Sequence, residues 1–146
     1  MICLTVDKVG KAFGGLKALS EVTFEVEERE LLGIMGANGA GKTTLFSLIA
    51  GHQHPSSGDI RLYGRSIVGL RPDQICRRGI ARTFQIVKPF GGLTVLENLM
   101  TAAMFGSQRI HQHERARRHC QAILVDMGMA HLHDMPAHAL TLLPYR

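Results

Sequence analysis

The chain has 146 residues, of which 45% are hydrophobic and 20% are charged, and its formal net charge is +5. This composition is typical of one folded domain with a modest core, and it excludes a disordered chain. No apolar run approaches the roughly 20 residues that a membrane-spanning helix needs, and the scattered Cys3, Cys76 and Cys120 fit no metal or redox motif and favour a reducing cytoplasm.

The first part of the chain is predicted to form strands and turns. Residues 4–9 are a predicted strand, and apolar residues alternate with polar ones over residues 22–26, which is the period of a half-buried strand. Gly14-Gly15 is a predicted turn between the two strands. Residues 31–35 form a short apolar run without alternation, which is typical of a strand buried on both faces in a parallel sheet.

A glycine-rich loop follows this apolar run and leads into a predicted helix over residues 42–50, which Gly51 is placed to end. Residues 60–63 alternate as a strand does. Residues 71–78 favour a short helix with a proline in its first turn.

The second half of the chain is predicted to be mainly helical after one more strand at residues 80–84. Thr94 and Glu97 have the spacing of a capping box, which predicts a helix that ends near residue 105. Residues 114–128 predict another helix, because Cys120, Ile123, Leu124 and Met127 fall on one face.

The glycine-rich loop reads Gly36-Ala37-Asn38-Gly39-Ala40-Gly41-Lys42-Thr43, which is the pattern of a phosphate-binding P-loop between a strand and a helix. Its glycines allow a tight turn whose N–H groups, with the positive end of the helix, bind phosphate oxygens. Lys42 is expected to reach the β- and γ-phosphates, Thr43 to offer its hydroxyl to Mg²⁺, and Thr44 to contact the α-phosphate. The loop therefore predicts a site for a purine nucleotide such as ATP; a chance glycine-rich turn is the disfavoured alternative.

With its surroundings, the loop resembles the phosphate loop of the ATP-binding subunits of ABC transporters, in which Ala37 is more often proline. A second segment, Gly79-Ile80-Ala81-Arg82-Thr83-Phe84-Gln85 followed by Leu93-Thr94-Val95-Leu96-Glu97-Asn98, resembles the branched-chain amino acid branch of that family. The resemblance implies an α/β fold, the P-loop NTPase fold of an ABC-type nucleotide-binding domain, in incomplete form. It places an N-terminal antiparallel β part and the P-loop core in residues 1–88, and the start of a helical subdomain in about residues 89–146.

The resemblance also implies roles for single residues. Phe13 stands where the family places an aromatic side chain that stacks on adenine, although an ordinary core phenylalanine is the alternative. Gln85 matches the glutamine of the family's Q-loop, which positions Mg²⁺ and the attacking water, and its alternative is an ordinary polar loop residue. The expected nucleotide-binding residues are Phe13, Gly36, Asn38, Gly39, Ala40, Gly41, Lys42, Thr43 and Thr44, with Thr43 and Gln85 at the Mg²⁺ ion.

The chain departs from the family pattern in two places. Arg29 stands where the family usually has a glycine, so a positive φ in that turn would strain the arginine. Residues 139–145 resemble the approach to the family's signature motif, but Arg146 stands where a glycine is expected. In family terms the signature motif, the Walker B aspartate, the catalytic glutamate and the switch histidine lie beyond it. We therefore expect a truncated N-terminal portion, in which residues 31–35 lose their sheet neighbours.

Three functional hypotheses follow. The first is the ATP-binding subunit of an ABC importer for branched-chain amino acids, peripheral to the cytoplasmic side of the inner membrane, with membrane permease subunits and a second ATP-binding subunit as partners and no nucleic acid. The second is a truncated fragment without catalytic activity. The third is a self-contained small P-loop NTPase or kinase in which Asp126, after four apolar residues, ends a Walker B strand. The helical spacing around Asp126 disfavours this third hypothesis.

Overall fold

The computed structural model describes residues 1–84 and 86–142. They divide into two compact units, the first formed by Met1–Cys76 with Ile80–Arg82 and the second by Arg77–Gly79 with the chain from Thr83 onward. The boundary expected after residue 88, between the P-loop core and the start of a helical subdomain, stays a prediction. None of the helices in the described part of the chain is long and apolar enough to cross a bilayer.

The first unit contains an antiparallel sheet whose strands lie in the order β2-β1-β3-β4. Its strands are β1 (Ile2–Phe13), β2 (Leu16–Glu27), β3 (Ser57–Leu62) and β4 (Arg65–Ser66). β1 and β2 form a long hairpin that turns at Gly14-Gly15 and pairs Phe13 with Leu16. The strands predicted from the alternating residues, and the turn between the first two, are therefore confirmed.

Helix α1 (Lys42–Ile49) packs its apolar side chains against this sheet. The helix ends as predicted, because Gly51 takes a φ of 74° that a side chain would disfavour. The core of the unit consists of Val6, Val9, Leu45, Leu48, Ile49, Ile60, Ile67 and Ile75. This packing anchors the end of α1 that is remote from the glycine-rich loop.

Two of the predicted strands, at residues 31–35 and at residues 80–84, are wrong. In the described structure neither residues 31–35 nor residues 80–84 form a strand, and Leu31 and Met35 are 98% and 95% exposed. A strand of a parallel sheet needs neighbouring strands on its edges, and none of the described strands pairs with either segment. The apolar run at residues 31–35 therefore has no strand pairing and is largely exposed, with only Ile34 half-buried against the core of the unit.

The turn before this run has the positive φ that was expected to strain Arg29. Arg29 has a φ of 64°, in the left-handed region. The turn is closed by the N–H of Glu30, which donates to the carbonyl oxygen of Glu27 at 3.2 Å, and by the N–H of Glu27, which donates to Oε2 of Glu30 at 2.6 Å. The strain expected for an arginine in a glycine position is thus present.

The remaining helices are α2 (Pro72–Cys76), α3 (Val95–Phe105) and α4 (His113–Asp126), followed by 3₁₀ turns at Ala130–Leu132 and Ala137–Leu142. α2 starts at its proline as predicted but is shorter than the predicted helix. The predicted capping box of α3 is confirmed, and the hydrogen bonds from the backbone N–H and the hydroxyl of Thr94 hold the pKa of Glu97 below its usual value.

α3 and α4 form the core of the second unit. Val95, Leu96 and Met100 of α3 pack with Ala116, Cys120 and Leu124 of α4. The predicted helical face is confirmed at Cys120 and Leu124, but Met127 is 63% exposed because the helix has already ended at Asp126.

Candidate nucleotide-binding site

The glycine-rich loop enters α1 through two residues in the left-handed region. Gly39 has a φ of 83°, and Gly41, which is the N-cap of α1, has a φ of 87°. The first N–H groups of a helix have no acceptor within the helix. Here no side chain caps them and no acidic residue lies in the first turn. The start of α1 is therefore an electropositive set of donors that suits an anion.

Lys42 adds a full positive charge to this set. Its Nζ donates hydrogen bonds to the carbonyl oxygens of Gly36 at 2.6 Å and Ala37 at 2.8 Å. The ammonium group is thereby held against the start of the loop. Phosphate oxygens can replace the two carbonyl groups as acceptors, because an ammonium group bonds more strongly to a charged oxygen than to a neutral one.

The loop rests on the hairpin at Gly41. A Cβ atom on Gly41 would lie 2.6 Å from the carbonyl oxygen of Ala18 and 2.6 Å from Cδ2 of Leu19, which is closer than real side chains approach. Lys11 pairs with Leu19 and Ala12 pairs with Lys17, so Ala18 is an extra residue in β2, a β-bulge. Both the conformation and the space at Gly41 therefore require a glycine.

The hairpin also places Phe13 on the face that meets the loop. Lys11 lies opposite Leu19, and Phe13 lies two residues farther along the same strand, so these side chains share one face of the hairpin. Phe13 pairs with Leu16, three residues from Leu19 or about 10 Å along the strand. Phe13 is 45% exposed, which disfavours the alternative of a buried core phenylalanine. Stacking on adenine stays a prediction.

Two consecutive hydrogen bonds link Arg82, through Ser47, to the first turn of α1. Oγ of the buried Ser47 donates to the carbonyl oxygen of Thr43 at 2.8 Å, and Nη1 of Arg82 donates to Oγ of Ser47 at 2.8 Å. A hydroxyl has one proton to donate, so the two bonds use Ser47 as donor and acceptor at once. The sequence reasoning missed both residues.

The structure brings the predicted phosphate-binding residues together because they are contiguous. Thr43 is exposed and Thr44 is half-buried at the start of α1. Gln85 lies outside the described residues, and so do residues 143–146, which hold the last part of the expected approach to a signature motif (residues 139–145) and Arg146 after it. Asp126 is the exposed last residue of α4, so the hypothesis of a Walker B strand there is wrong.

The donor set fits a phosphate group bound together with Mg²⁺. Residues 36–44 offer N–H groups, one ammonium group and two hydroxyls, and they contain no carboxylate that would repel an anion. Within the described residues no group of three or more His, Cys, Asp or Glu side chains could hold a metal ion. Mg²⁺ is commonly held by substrate phosphates, waters and one or two protein oxygens, and the Thr43 hydroxyl could be one of these.

Comparison with known sequences gives a consistent family. A family model described as ABC transporter matches residues 19–142. The high-affinity branched-chain amino acid transport ATP-binding protein LivG of Salmonella typhimurium is 46% identical over 99 residues, which cover 68% of this chain and 39% of LivG. The corresponding protein BraF of Pseudomonas aeruginosa is 44% identical with the same coverage. The matched region thus spans about two fifths of the length of these relatives.

Comparison with solved structures agrees with the sequence match. MJ1267, an ATP-binding cassette of an ABC transporter, superimposes with a TM-score of 0.81 at 29% identity, over 94% of this chain and 58% of MJ1267. The ADP conformation of the same protein gives a TM-score of 0.78 at 28% identity, with the same coverage. The predicted fold class, a partial ABC-type P-loop domain with an antiparallel β part, is confirmed.

Proposed function

Because the chain belongs to the ABC transporter family, we propose that it supplies the phosphate-binding part of an ATP-binding subunit that energises the import of branched-chain amino acids. Support for the substrate comes from LivG and BraF, whose names describe branched-chain amino acid transport. Support for the nucleotide comes from one observation above the others, the uncapped start of α1 behind two glycines with positive φ.

In this proposal each group acts on one part of Mg²⁺-ATP. The N–H groups at the start of α1 bind phosphate oxygens, and Lys42 exchanges its carbonyl acceptors for the β- and γ-phosphates. The Thr43 hydroxyl binds Mg²⁺, Thr44 contacts the α-phosphate, and the exposed ring of Phe13 stacks on the base. Gln85 is proposed to position the metal ion and water.

The proposal extends to partners and location. ATP-binding proteins of transport systems act on a membrane through other subunits, so we propose membrane permease subunits and a second ATP-binding subunit as partners. The proposed location is the cytoplasmic face of the inner membrane. The names of LivG and BraF, which join transport to ATP binding, support this arrangement.

The test is an isothermal calorimetric titration of the 146-residue chain with ATP in the presence of Mg²⁺. Lys42→Ala is expected to weaken binding about 10- to 150-fold, because a hydrogen bond to a charged group contributes about 1.5–3 kcal/mol. Lys17→Ala removes the same charge from the exposed hairpin and is expected to leave the affinity unchanged. Equal affinities for the wild-type and Lys42→Ala chains would contradict the assignment.

Hydrolysis is a separate readout from binding. Asp126, which the sequence offered as a Walker B aspartate, ends a helix. We therefore expect this chain alone to bind ATP without measurable Mg²⁺-dependent turnover. Turnover that Lys42→Ala abolishes would show that this chain suffices for catalysis and would contradict this expectation.

A further inference from the structure

The side chain of Lys11 lies against the aromatic ring of the proposed base site. Its Nζ is 5.1 Å from the centroid of the Phe13 ring, within the range of a cation–π interaction. The same atom donates a hydrogen bond to the carbonyl oxygen of His54 at 2.7 Å. Two separate groups therefore hold the ammonium group over the ring.

The backbone around this pair is also held in place. The N–H of Ala12, between the two residues, donates to Oγ of Ser56 at 3.1 Å. Lys11 pairs with Leu19, the residue on which Gly41 rests. The lysine and the aromatic ring are thus built into the part of the sheet that supports the phosphate loop.

A ring with an ammonium group on one face has only its other face available for stacking. Phe13 remains 45% exposed although Lys11 lies against it. The cation draws the π electrons of the ring toward itself, which makes the opposite face less negative and a better partner for an electron-rich purine. The pair therefore leaves one defined face of the ring for docking a base.

We propose that Lys11 is a positioning residue for base recognition, which directs a purine to the face of Phe13 opposite its own ammonium group. This inference rests on the proposed function, because it requires a nucleotide at the loop before α1. It goes beyond that function in assigning base recognition to two side chains rather than one. Lys11 acts through the ring and makes no contact with phosphate.

The experiment compares two ligands that share a triphosphate group. Dissociation constants are measured for ATP and for inorganic triphosphate, both with Mg²⁺. Lys11→Met is expected to weaken ATP binding about two- to fivefold, the range for a solvent-exposed cation–π interaction, and to leave triphosphate binding unchanged. Lys11→Arg is expected to restore the ATP affinity, because a guanidinium group also stacks on aromatic rings.

Two further variants separate ring positioning from charge. Lys17→Met removes a charge from the same hairpin without touching the ring, and both affinities are expected to stay unchanged. In a Phe13→Leu background, Lys11→Met is expected to have no further effect on ATP binding. An equal loss of ATP and triphosphate affinity in Lys11→Met would identify Lys11 as a phosphate ligand and overturn the proposal.

The failure of this inference is distinguishable from the failure of the proposed function. A wild-type chain that binds neither ATP nor triphosphate would overturn both proposals. A wild-type chain that binds ATP, with a Lys11→Met variant that binds it equally well, would overturn only the role of Lys11. Retained triphosphate binding in Lys11→Met would itself show that the loop and α1 remain folded.

Discussion

Gly39 and Gly41 provide a matched pair of sites for testing the structure of the phosphate loop. Their φ angles, 83° and 87°, are nearly equal. An added Cβ atom would meet nothing within 4 Å at Gly39, whereas at Gly41 it would lie 2.6 Å from Ala18 and Leu19 atoms. Substitution by alanine at the two sites therefore imposes a similar backbone φ and differs mainly in the steric clash.

The magnitudes follow from these two contributions. An alanine with a left-handed backbone costs about 1–2 kcal/mol, and forcing an extra methyl group into a packed contact costs about 1–3 kcal/mol. Gly39→Ala is expected to lower the free energy of unfolding by about 1–2 kcal/mol and Gly41→Ala by about 2–5 kcal/mol. Gly33, which has neither a positive φ nor a close neighbour, is the control site.

Urea unfolding followed by circular dichroism measures the three variants on the same chain. Gly33→Ala is expected to change the free energy of unfolding by less than about 0.5 kcal/mol. Equal losses in Gly39→Ala and Gly41→Ala would refute the contact between the loop and β2. A loss at Gly41 no larger than that at Gly33 would also refute the left-handed conformation of the N-cap.

Three other substitutions test single contacts by the same unfolding assay. Arg29→Gly is expected to raise the free energy of unfolding by about 0.5–1 kcal/mol, because it relieves a φ of 64°; a decrease would argue against that conformation. Ser47→Ala is expected to lower the free energy of unfolding by about 1–3 kcal/mol, because it removes the hydroxyl that accepts a hydrogen bond from Arg82. A double-mutant cycle with Arg82→Ala should show coupling between the two residues, whereas additive losses would count against this hydrogen bond. Thr94→Ala is expected to cost about 1 kcal/mol by removing the acceptor of the Glu97 N–H; Thr94→Ser, which keeps the cap, should cost less, and equal losses would dismiss the cap.

Elements with local signals could be predicted from the sequence. The capping box of α3 is formed by Thr94 and Glu97, three residues apart, and the structure contains both of its hydrogen bonds. The end of α1 is set by Gly51, the next residue but one after the helix. In each case the groups that make the interaction are neighbours in the sequence, so residue type and spacing are sufficient.

Strands that need distant partners could not be predicted in the same way. The apolar run at residues 31–35 has the composition of a buried strand, yet Leu31 and Met35 are almost fully exposed. An apolar composition shows that a segment would be stable between two strands, but it does not show whether those neighbouring strands are present. The same limit applies to residues 80–84, whose Arg82 instead bonds to Ser47, 35 residues earlier in the chain.

In the candidate site too, features formed by neighbouring residues could be predicted from the sequence, and features that depend on distant contacts could not. The phosphate loop is one contiguous segment, so its residues could be named from the sequence. The support of Gly41 by Ala18 and Leu19 depends on strand pairing and on a bulge, which no local pattern indicated. The spacing of Lys11 and Phe13 could have been read as two side chains on one face of a strand, but their contact with each other could not.

The phosphate loop and the proposed base platform share one support, the segment of β2 at Ala18 and Leu19. Gly41 rests on this segment, and Leu19 pairs with Lys11, which holds the ring of Phe13. A methyl group at Gly41 must therefore displace either the loop or the strand that carries the platform. We expect Gly41→Ala to reduce the ratio of ATP affinity to triphosphate affinity. Gly39→Ala, which has no neighbour on the hairpin, should weaken both ligands alike. An unchanged ratio in Gly41→Ala would mean that the methyl group displaces the loop alone and leaves the base platform in place.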